Sequence, residues 1–174
     1  QTAMASTTKI MTSIIVVENC NLSDTVTITS KAAGTGGSRL GLHTDDKITV
    51  NDLLYGLMLR SGNDAAVALA IHTAGSVDEF AKLMNQKAEE LGLTNTHFVT
   101  PHGLDNSEHY TTAFELAVIT DYALKNEIIA KVVKTKSTII SINGNHIQIN
   151  NTNELLGNVE GVYGVKTGFT NNAG

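Results

Sequence analysis

Hydrophobic and polar positions along the chain predict a mixture of helices and β-strands. Residues 7–19 are apolar in nearly every direction around a helix, which is typical of a buried helix. Residues 25–29 alternate and are β-branched, which predicts a short strand. A glycine-rich loop follows at residues 34–41.

The middle of the chain predicts four further helices, each with apolar residues at helical spacing. The first ends at a tight turn, residues 61–63, where glycine permits a sharp change of direction. Residues 64–74 directly after this turn predict the second helix. The third runs to Leu91. The predicted N-caps, in chain order, are Thr49 or Asn51, Ser76, and Thr111 or Thr112.

Strand signals return near the end of the sequence. Asn143-Gly144 separates two alternating stretches and predicts a β-hairpin. Residues 161–168 predict a final strand that ends in a loop. The chain has neither an internal repeat nor a linker, so we expect one α/β (α+β) domain over residues 1–174.

Composition narrows the function classes. The chain carries 12 Lys and Arg against 17 Asp and Glu, a net charge of −5, and no basic cluster, which argues against a nucleic-acid partner. The single cysteine, Cys20, excludes an internal disulfide and is interpreted as core filler. Because the chain starts at Gln1 rather than methionine, we expect an excised piece of a longer protein.

The first candidate for chemistry is Ser6, three residues before Lys9 and therefore its neighbour on a helix. Free N–H groups and the helix dipole at Ser6 favour a developing oxyanion. Burial lowers a lysine pKa, so a neutral Lys9 is a workable general base. The alternative is an N-cap serine followed by an exposed lysine, and S-x-x-K alone occurs about once by chance in such a chain.

Two further motifs follow in order. Ser61-Gly62-Asn63 lies in the tight turn, and Lys166-Thr167-Gly168 ends the predicted last strand. Chance gives each in roughly 5% of such chains, and all three in order in about one in a thousand. The S-x-x-K, S-[DG]-N, K-T-G series is the signature of penicillin-binding proteins and class A β-lactamases.

On these motifs the chain resembles the serine D-alanyl-D-alanine carboxypeptidases, which are low-molecular-mass penicillin-binding proteins. The similarity continues through most of the sequence. Its stretches read "MASTTKIMT", "TGGSRLGL", "ITVNDLLYGLMLRSGNDAAVALA", "LGLTNTHFVTPHGLD", "HYTTA", "NTNELLG" and "GVYGVKTGFTNNAG". The resemblance implies a penicillin-binding, serine-transpeptidase-like fold, in which helices flank a mainly antiparallel sheet and the Ser6 helix is central.

The resemblance also implies four catalytic roles. Ser6 would attack the carbonyl between two terminal D-alanines, and Lys9 would take the hydroxyl proton. Ser61 would relay a proton to the departing nitrogen. Asn63 would hold the substrate amide and orient Lys9.

Substrate binding is implied at five other positions. Lys166 and Thr167 would receive the terminal carboxylate, and Lys166 would keep Lys9 neutral. Gly168 would let a peptide lie along the strand edge, and the N–H groups of Phe169 and Ser6 would form the oxyanion hole. Ser38, beside Gly37, would lie on the cleft rim.

The implied function is removal of the terminal D-alanine from peptidoglycan stem peptides through a Ser6 ester, with acylation by β-lactams. It needs no metal or cofactor and takes place outside the cytoplasm. The resemblance also implies that the domain is truncated at both ends, lacking sheet strands, a later carboxylate-binding arginine and a membrane-anchoring tail. Two alternatives stay open: a transpeptidase or β-lactamase of the same fold, and a non-catalytic β-lactam or muropeptide sensor.

Glu154 bears on the β-lactamase alternative. Together with Asn158 it forms an E-x-x-x-N pattern, which resembles the motif of the deacylating glutamate in class A β-lactamases. In those enzymes the glutamate lies far upstream of K-T-G, whereas Glu154 is only a few residues before it. We therefore interpret Glu154 as a loop residue, which favours slow hydrolysis of a penicilloyl ester.

Overall fold

A computed structural model describes residues 1–173 and places a helical layer beside two small β-ribbons. One 3₁₀ turn precedes seven α-helices and four strands. In chain order the elements are the 3₁₀ turn Ala5–Thr8, α1 Lys9–Asn19, β1 Thr25–Thr27, α2 Ser30–Ala33, β2 Lys47–Thr49, α3 Val50–Leu59, α4 Asn63–Ala74, α5 Val77–Glu90, α6 Ala113–Leu124, α7 Glu127–Lys134, β3 Ser137–Ile142 and β4 Asn145–Asn150. None of the helices within residues 1–173 has the length and apolar character needed to cross a membrane.

Helix α1 is the centre of the fold. Its residues from Lys9 to Val16 are all buried, as the apolar sequence predicted. Helices α3, α4, α5, α6 and α7 pack against it. Over residues 9–16, a side chain on any face of α1 therefore meets protein rather than water.

Side-chain caps begin the helices where the sequence predicted them. The hydroxyl of Thr49, rather than Asn51, accepts the N–H of Asp52 at the start of α3. Ser76 caps α5 and Thr112 caps α6 in the same way. Helices α2 and α7 were not predicted.

The strands pair antiparallel, as expected, in two separate two-stranded sheets. Strands β1 and β2 pair with Thr25 opposite Thr49, although β1 is shorter than predicted and β2 was missed. The β3–β4 hairpin is confirmed, with positive φ angles at Asn143 and Gly144.

The predicted strand at residues 161–168 is wrong. The segment is irregular and takes no part in the sheet pairing of the described residues. A strand is defined by backbone hydrogen bonds to a neighbour, and neither of the two described sheets includes this segment. Apolar alternation alone therefore does not make it a strand.

The loop at residues 99–103 lies along the first turns of α1. The hydroxyl of Thr12 donates to the carbonyl of Pro101 at 2.6 Å. Gly103 has φ +86°, and a Cβ at this position would lie 1.8 Å from the carbonyl oxygen of Ala5. Only glycine allows this approach, so Gly103 fixes the loop against the 3₁₀ turn.

We expect Gly103→Ala to lower the free energy of unfolding by more than about 3 kcal/mol, because a steric clash adds to the left-handed backbone. Gly92→Ala is the matched control, since Gly92 also has a positive φ of +71° but nothing within 4 Å of where a methyl group would be added. It should lower the free energy by only about 1–2 kcal/mol. Denaturant unfolding measures both, and equal losses would contradict the proposed clash.

Candidate active site

Ser6 lies in the 3₁₀ turn rather than in the α-helix proper, which begins at Lys9. The preceding residue, Ala5, is 1% exposed and has φ +46°, an uncommon conformation for a residue with a Cβ. The contact with Gly103 holds this conformation in place. Backbone strain of this kind persists where the surroundings over-determine it, and it is frequent at functional sites.

Lys9 is 0% exposed, and its amine is enclosed by polar atoms from three parts of the chain. The Nζ atom lies 3.0 Å from the Oγ of Ser6. It donates to the Oδ1 of Asn63 at 2.7 Å and to the carbonyl oxygen of His102 at 2.8 Å. The alternative interpretation of Lys9 as an exposed surface residue is therefore wrong.

The turn at residues 61–63 delivers Asn63 to Lys9. Ser61 has φ +57°, and Asn63 is the first residue of α4. The Asn63 side chain donates to the carbonyl of Gly36 at 2.8 Å, which orients its Oδ1 toward Lys9. Its backbone N–H donates to the carbonyl of Ser38 at 2.8 Å, so the glycine-rich loop and the turn are joined.

Asp64 holds the same loop and was not singled out from the sequence. Its buried carboxylate accepts the backbone N–H groups of Leu40, Gly41 and Leu42 at 2.8–3.0 Å. Several N–H donors compensate for burying a charge, and they fix the loop that carries Ser38. The sequence signal was a carboxylate in the first turn of a helix, which is common and not specific.

A cleft of about 370 Å³ opens beside Ser6. It collects five other predicted site residues, together with Arg60 and Thr152, which the sequence analysis did not assign to the site. Phe169 is 74% exposed. The predicted residues that line the cleft with Ser6 are Ser38, Ser61, Thr167, Gly168 and Phe169.

Gly168 is pressed against the 3₁₀ turn. A Cβ at this position would lie 3.2 Å from the backbone nitrogens of both Ser6 and Thr7. The segment that carries Lys166, Thr167 and Gly168 thus reaches Ser6 although it is not a hydrogen-bonded strand. Lys166 itself is half-buried, and its amine donates to the carbonyl of Thr167 at 2.9 Å.

The electrostatics favour a neutral amine at Lys9. Burial lowers the pKa of Lys9 well below its usual value, the charge on Lys166 lowers it further, and Asp64 acts in the opposite direction. Burial also lowers the pKa of Lys166, to about 8. At pH 7 Lys166 is therefore still mostly charged and can act on Lys9.

A neutral Lys9 amine has two N–H donors and one lone pair. The Oδ1 of Asn63 and the carbonyl of His102 accept the two donors. The remaining neighbour is the hydroxyl of Ser6, at 3.0 Å, which can donate to the lone pair. The arrangement is therefore suited to general-base removal of the Ser6 proton.

Comparisons with known proteins agree with this fold. The sequence profile of peptidase family S11, D-alanyl-D-alanine carboxypeptidase, matches residues 1–174. The chain belongs to this family.

Individual relatives show how far the similarity extends. D-alanyl-D-alanine carboxypeptidase DacF of Bacillus subtilis is 41% identical, over 98% of this chain and 46% of the relative. DacC of Escherichia coli is 39% identical, over 98% of this chain and 45% of the relative. The chain thus spans about half the length of these relatives.

A solved structure gives the same result for the fold. The DD-transpeptidase of Streptomyces K15 superposes with a TM-score of 0.91 at 39% identity, covering 98% of this chain and 72% of that one. The penicillin-binding, serine-transpeptidase-like fold expected from the resemblance is confirmed, although the strands within residues 1–173 form two ribbons rather than one continuous sheet.

We expect Lys166→Gln to move the acid limb of the pH–acylation profile to higher pH. Removing the positive charge raises the pKa of Lys9, so its neutral form appears only at higher pH. Lys166→Arg keeps the charge and is the matched control, whose limb should stay in place. Stopped-flow acylation by a fluorescent penicillin measures the profile, and a limb in Lys166→Gln that is unmoved or at lower pH would contradict the coupling.

Proposed function

We propose that this chain is the catalytic part of a serine D-alanyl-D-alanine carboxypeptidase that trims peptidoglycan stem peptides. The observation that carries the proposal is the buried Lys9 amine, whose lone pair is left to the Ser6 hydroxyl. The family match and the named activities of the relatives support the reaction and the substrate.

Acylation would begin when Lys9 takes the hydroxyl proton and the Ser6 Oγ attacks the carbonyl carbon of the penultimate D-alanine. The backbone N–H groups of Ser6 and Phe169 would stabilise the oxyanion. As the C–N bond breaks, the proton passes from Lys9 through the Ser61 hydroxyl to the leaving nitrogen. The products are free D-alanine and an ester on Ser6.

Deacylation would repeat the sequence with water. Lys9, neutral again, takes a proton from the water, whose oxygen attacks the ester carbonyl. As the ester C–O bond breaks, Lys9 returns that proton to the Ser6 Oγ, and the shortened peptide leaves with a new carboxylate. Asn63 would serve both steps by holding Lys9 and the substrate amide. The same chemistry with a β-lactam leaves the ring-opened drug on Ser6, because the departing nitrogen stays attached.

The cleft suits an anionic peptide. Its lining includes the exposed guanidinium of Arg60 and no carboxylate among the described residues. Thr167 and Lys166 would receive the terminal carboxylate, with Arg60 as a second cation. Gly168 and Ser38, which line the same cleft as Ser6, would border the peptide backbone.

The proposed substrate places the protein outside the cytoplasmic membrane, where stem peptides are cross-linked. Its partners would be stem peptides ending in D-Ala-D-Ala, and β-lactams as inhibitors. Association with the membrane would use segments outside this chain.

Ser6→Ala should abolish covalent labelling by a fluorescent penicillin in the purified full-length protein, lowering the acylation rate by at least about 10³-fold. Ser13→Ala is the matched control, since Ser13 is a buried serine of α1 whose hydroxyl donates to the carbonyl of Ile10. It should still be labelled, with the adduct on the Ser6 peptide by mass spectrometry. Labelling that survives in Ser6→Ala would overturn the proposal.

Analysis of the reaction products distinguishes a carboxypeptidase from a transpeptidase, a sensor and a β-lactamase. A carboxypeptidase releases D-alanine from a D-Ala-D-Ala peptide in water, and a transpeptidase needs an added amine acceptor. A sensor forms a stable penicilloyl adduct without any release of D-alanine. A β-lactamase hydrolyses the penicilloyl ester within seconds.

Arg60→Gln should raise KM for a peptide with a free terminal carboxylate by about tenfold, with little change in kcat, because an exposed cleft cation contributes to binding rather than to bond breaking. Lys125→Gln, at an exposed lysine that follows α6, is the control and should leave KM unchanged. If Arg60→Gln raised KM equally for the C-terminal amide of the same peptide, Arg60 would not contact the carboxylate.

A further inference from the structure

His109 is a buried side chain that the proposed reaction does not use, and it joins two segments around Lys9. It is 3% exposed. Its Nε2 lies 2.8 Å from the Oγ1 of Thr8, and its Nδ1 accepts the backbone N–H of Val99 at 2.9 Å. The ring also packs edge-on against Phe98, with 5.7 Å between centroids.

These bonds define the protonation of the ring. Because Nδ1 accepts an N–H, it carries no hydrogen, so the neutral ring has its hydrogen on Nε2 and donates it to Thr8. Burial, with a smaller effect of nearby His97, lowers the pKa of His109 to about 4. The donor to Thr8 and the acceptor for Val99 are therefore both in place at neutral pH.

The two hydrogen-bond partners of His109 belong to two different segments that contact the Lys9 amine. Thr8 closes the 3₁₀ turn that holds Ser6 and directly precedes Lys9. Val99 begins the loop whose carbonyl at His102 accepts from Lys9. One imidazole thus sets the spacing between the turn and the loop.

We propose that His109 is a positioning residue for acyl transfer, holding the Ser6–Lys9 turn and the His102 carbonyl in register. The inference rests on the proposed function. It predicts that losing the bond to Thr8 slows the chemical step rather than weakening substrate binding, because a misplaced Lys9 affects proton transfer and not the cleft.

Two amide substitutions separate the two bonds. His109→Asn keeps an oxygen where Nδ1 accepts from Val99 but has no group that reaches Thr8. His109→Gln places an amide nitrogen near the position of Nε2 and can donate to Thr8. We expect the acylation rate constant for a fluorescent penicillin to fall about tenfold in His109→Asn at unchanged non-covalent affinity. In His109→Gln it should be partly restored, because this variant regains the bond to Thr8 but not the acceptor for the Val99 N–H.

Thr8→Val completes the test, since it removes the hydroxyl and preserves the shape. The acylation rate constant of Thr8→Val should fall about as far as that of His109→Asn. In the variant that carries both substitutions it should fall no further than in either single variant. His146→Asn, at an exposed histidine of β4, is the matched control and should acylate normally. In ¹⁵N spectra of the unmodified protein, His109 should show the neutral Nε2–H form at pH 6.

Wild-type acylation in both His109→Asn and Thr8→Val would overturn the inference, and so would an equal loss in His109→Asn and His109→Gln. If His109→Asn does not fold, Thr8→Val carries the test alone, and normal acylation there overturns the inference. Failure of the unmodified protein to be acylated would instead overturn the proposed function.

Discussion

The structure depends on one buried amine. Lys9 lies at the centre of the helical layer with no exposed surface, where a group that can carry charge is tolerated only with partners close by. Those partners come from the 3₁₀ turn, from α4 and from the loop at residues 99–103. Each of these segments must be placed to within a fraction of an ångström, so the amine determines how three distant parts of the chain meet.

The surrounding structure shows how that placement is kept. Ala5, which precedes Ser6, and Ser61, which lines the cleft, both have positive φ angles that residues with a Cβ rarely adopt. Neighbours hold each of these turns. Gly103 packs against the turn at Ala5. Asp64 accepts three backbone N–H groups of the glycine-rich loop, and that loop contacts Asn63 in the turn that contains Ser61. Rigidity around Ser6 thus comes from glycine contacts and a buried carboxylate rather than from a continuous sheet.

The sequence was most informative where local chemistry decides the outcome, as in the caps Thr49, Ser76 and Thr112 and the turn at Asn143. It failed for residues 161–168, because strand pairing depends on a neighbour that local alternation does not reveal. Helix α7 was missed although its Ile and Val residues recur at helical spacing behind the cap of Asn126. Seven of the nine candidate site residues lie in three short motifs, and the other two, Ser38 and Phe169, came from the family resemblance. The backbone carbonyl of His102 could not be found that way, since every residue type has a carbonyl.

The close approach of Gly103 to Ala5 links two positions that are almost a hundred residues apart. A side chain at 103 has no room while the carbonyl of Ala5 points toward it, so it would need a different backbone conformation in the serine turn. Variation at position 103 is therefore tied to variation in that turn. An engineered library that randomises position 103 alone would return almost only glycine, whereas a library that also randomises position 5 can sample new geometries for the serine turn.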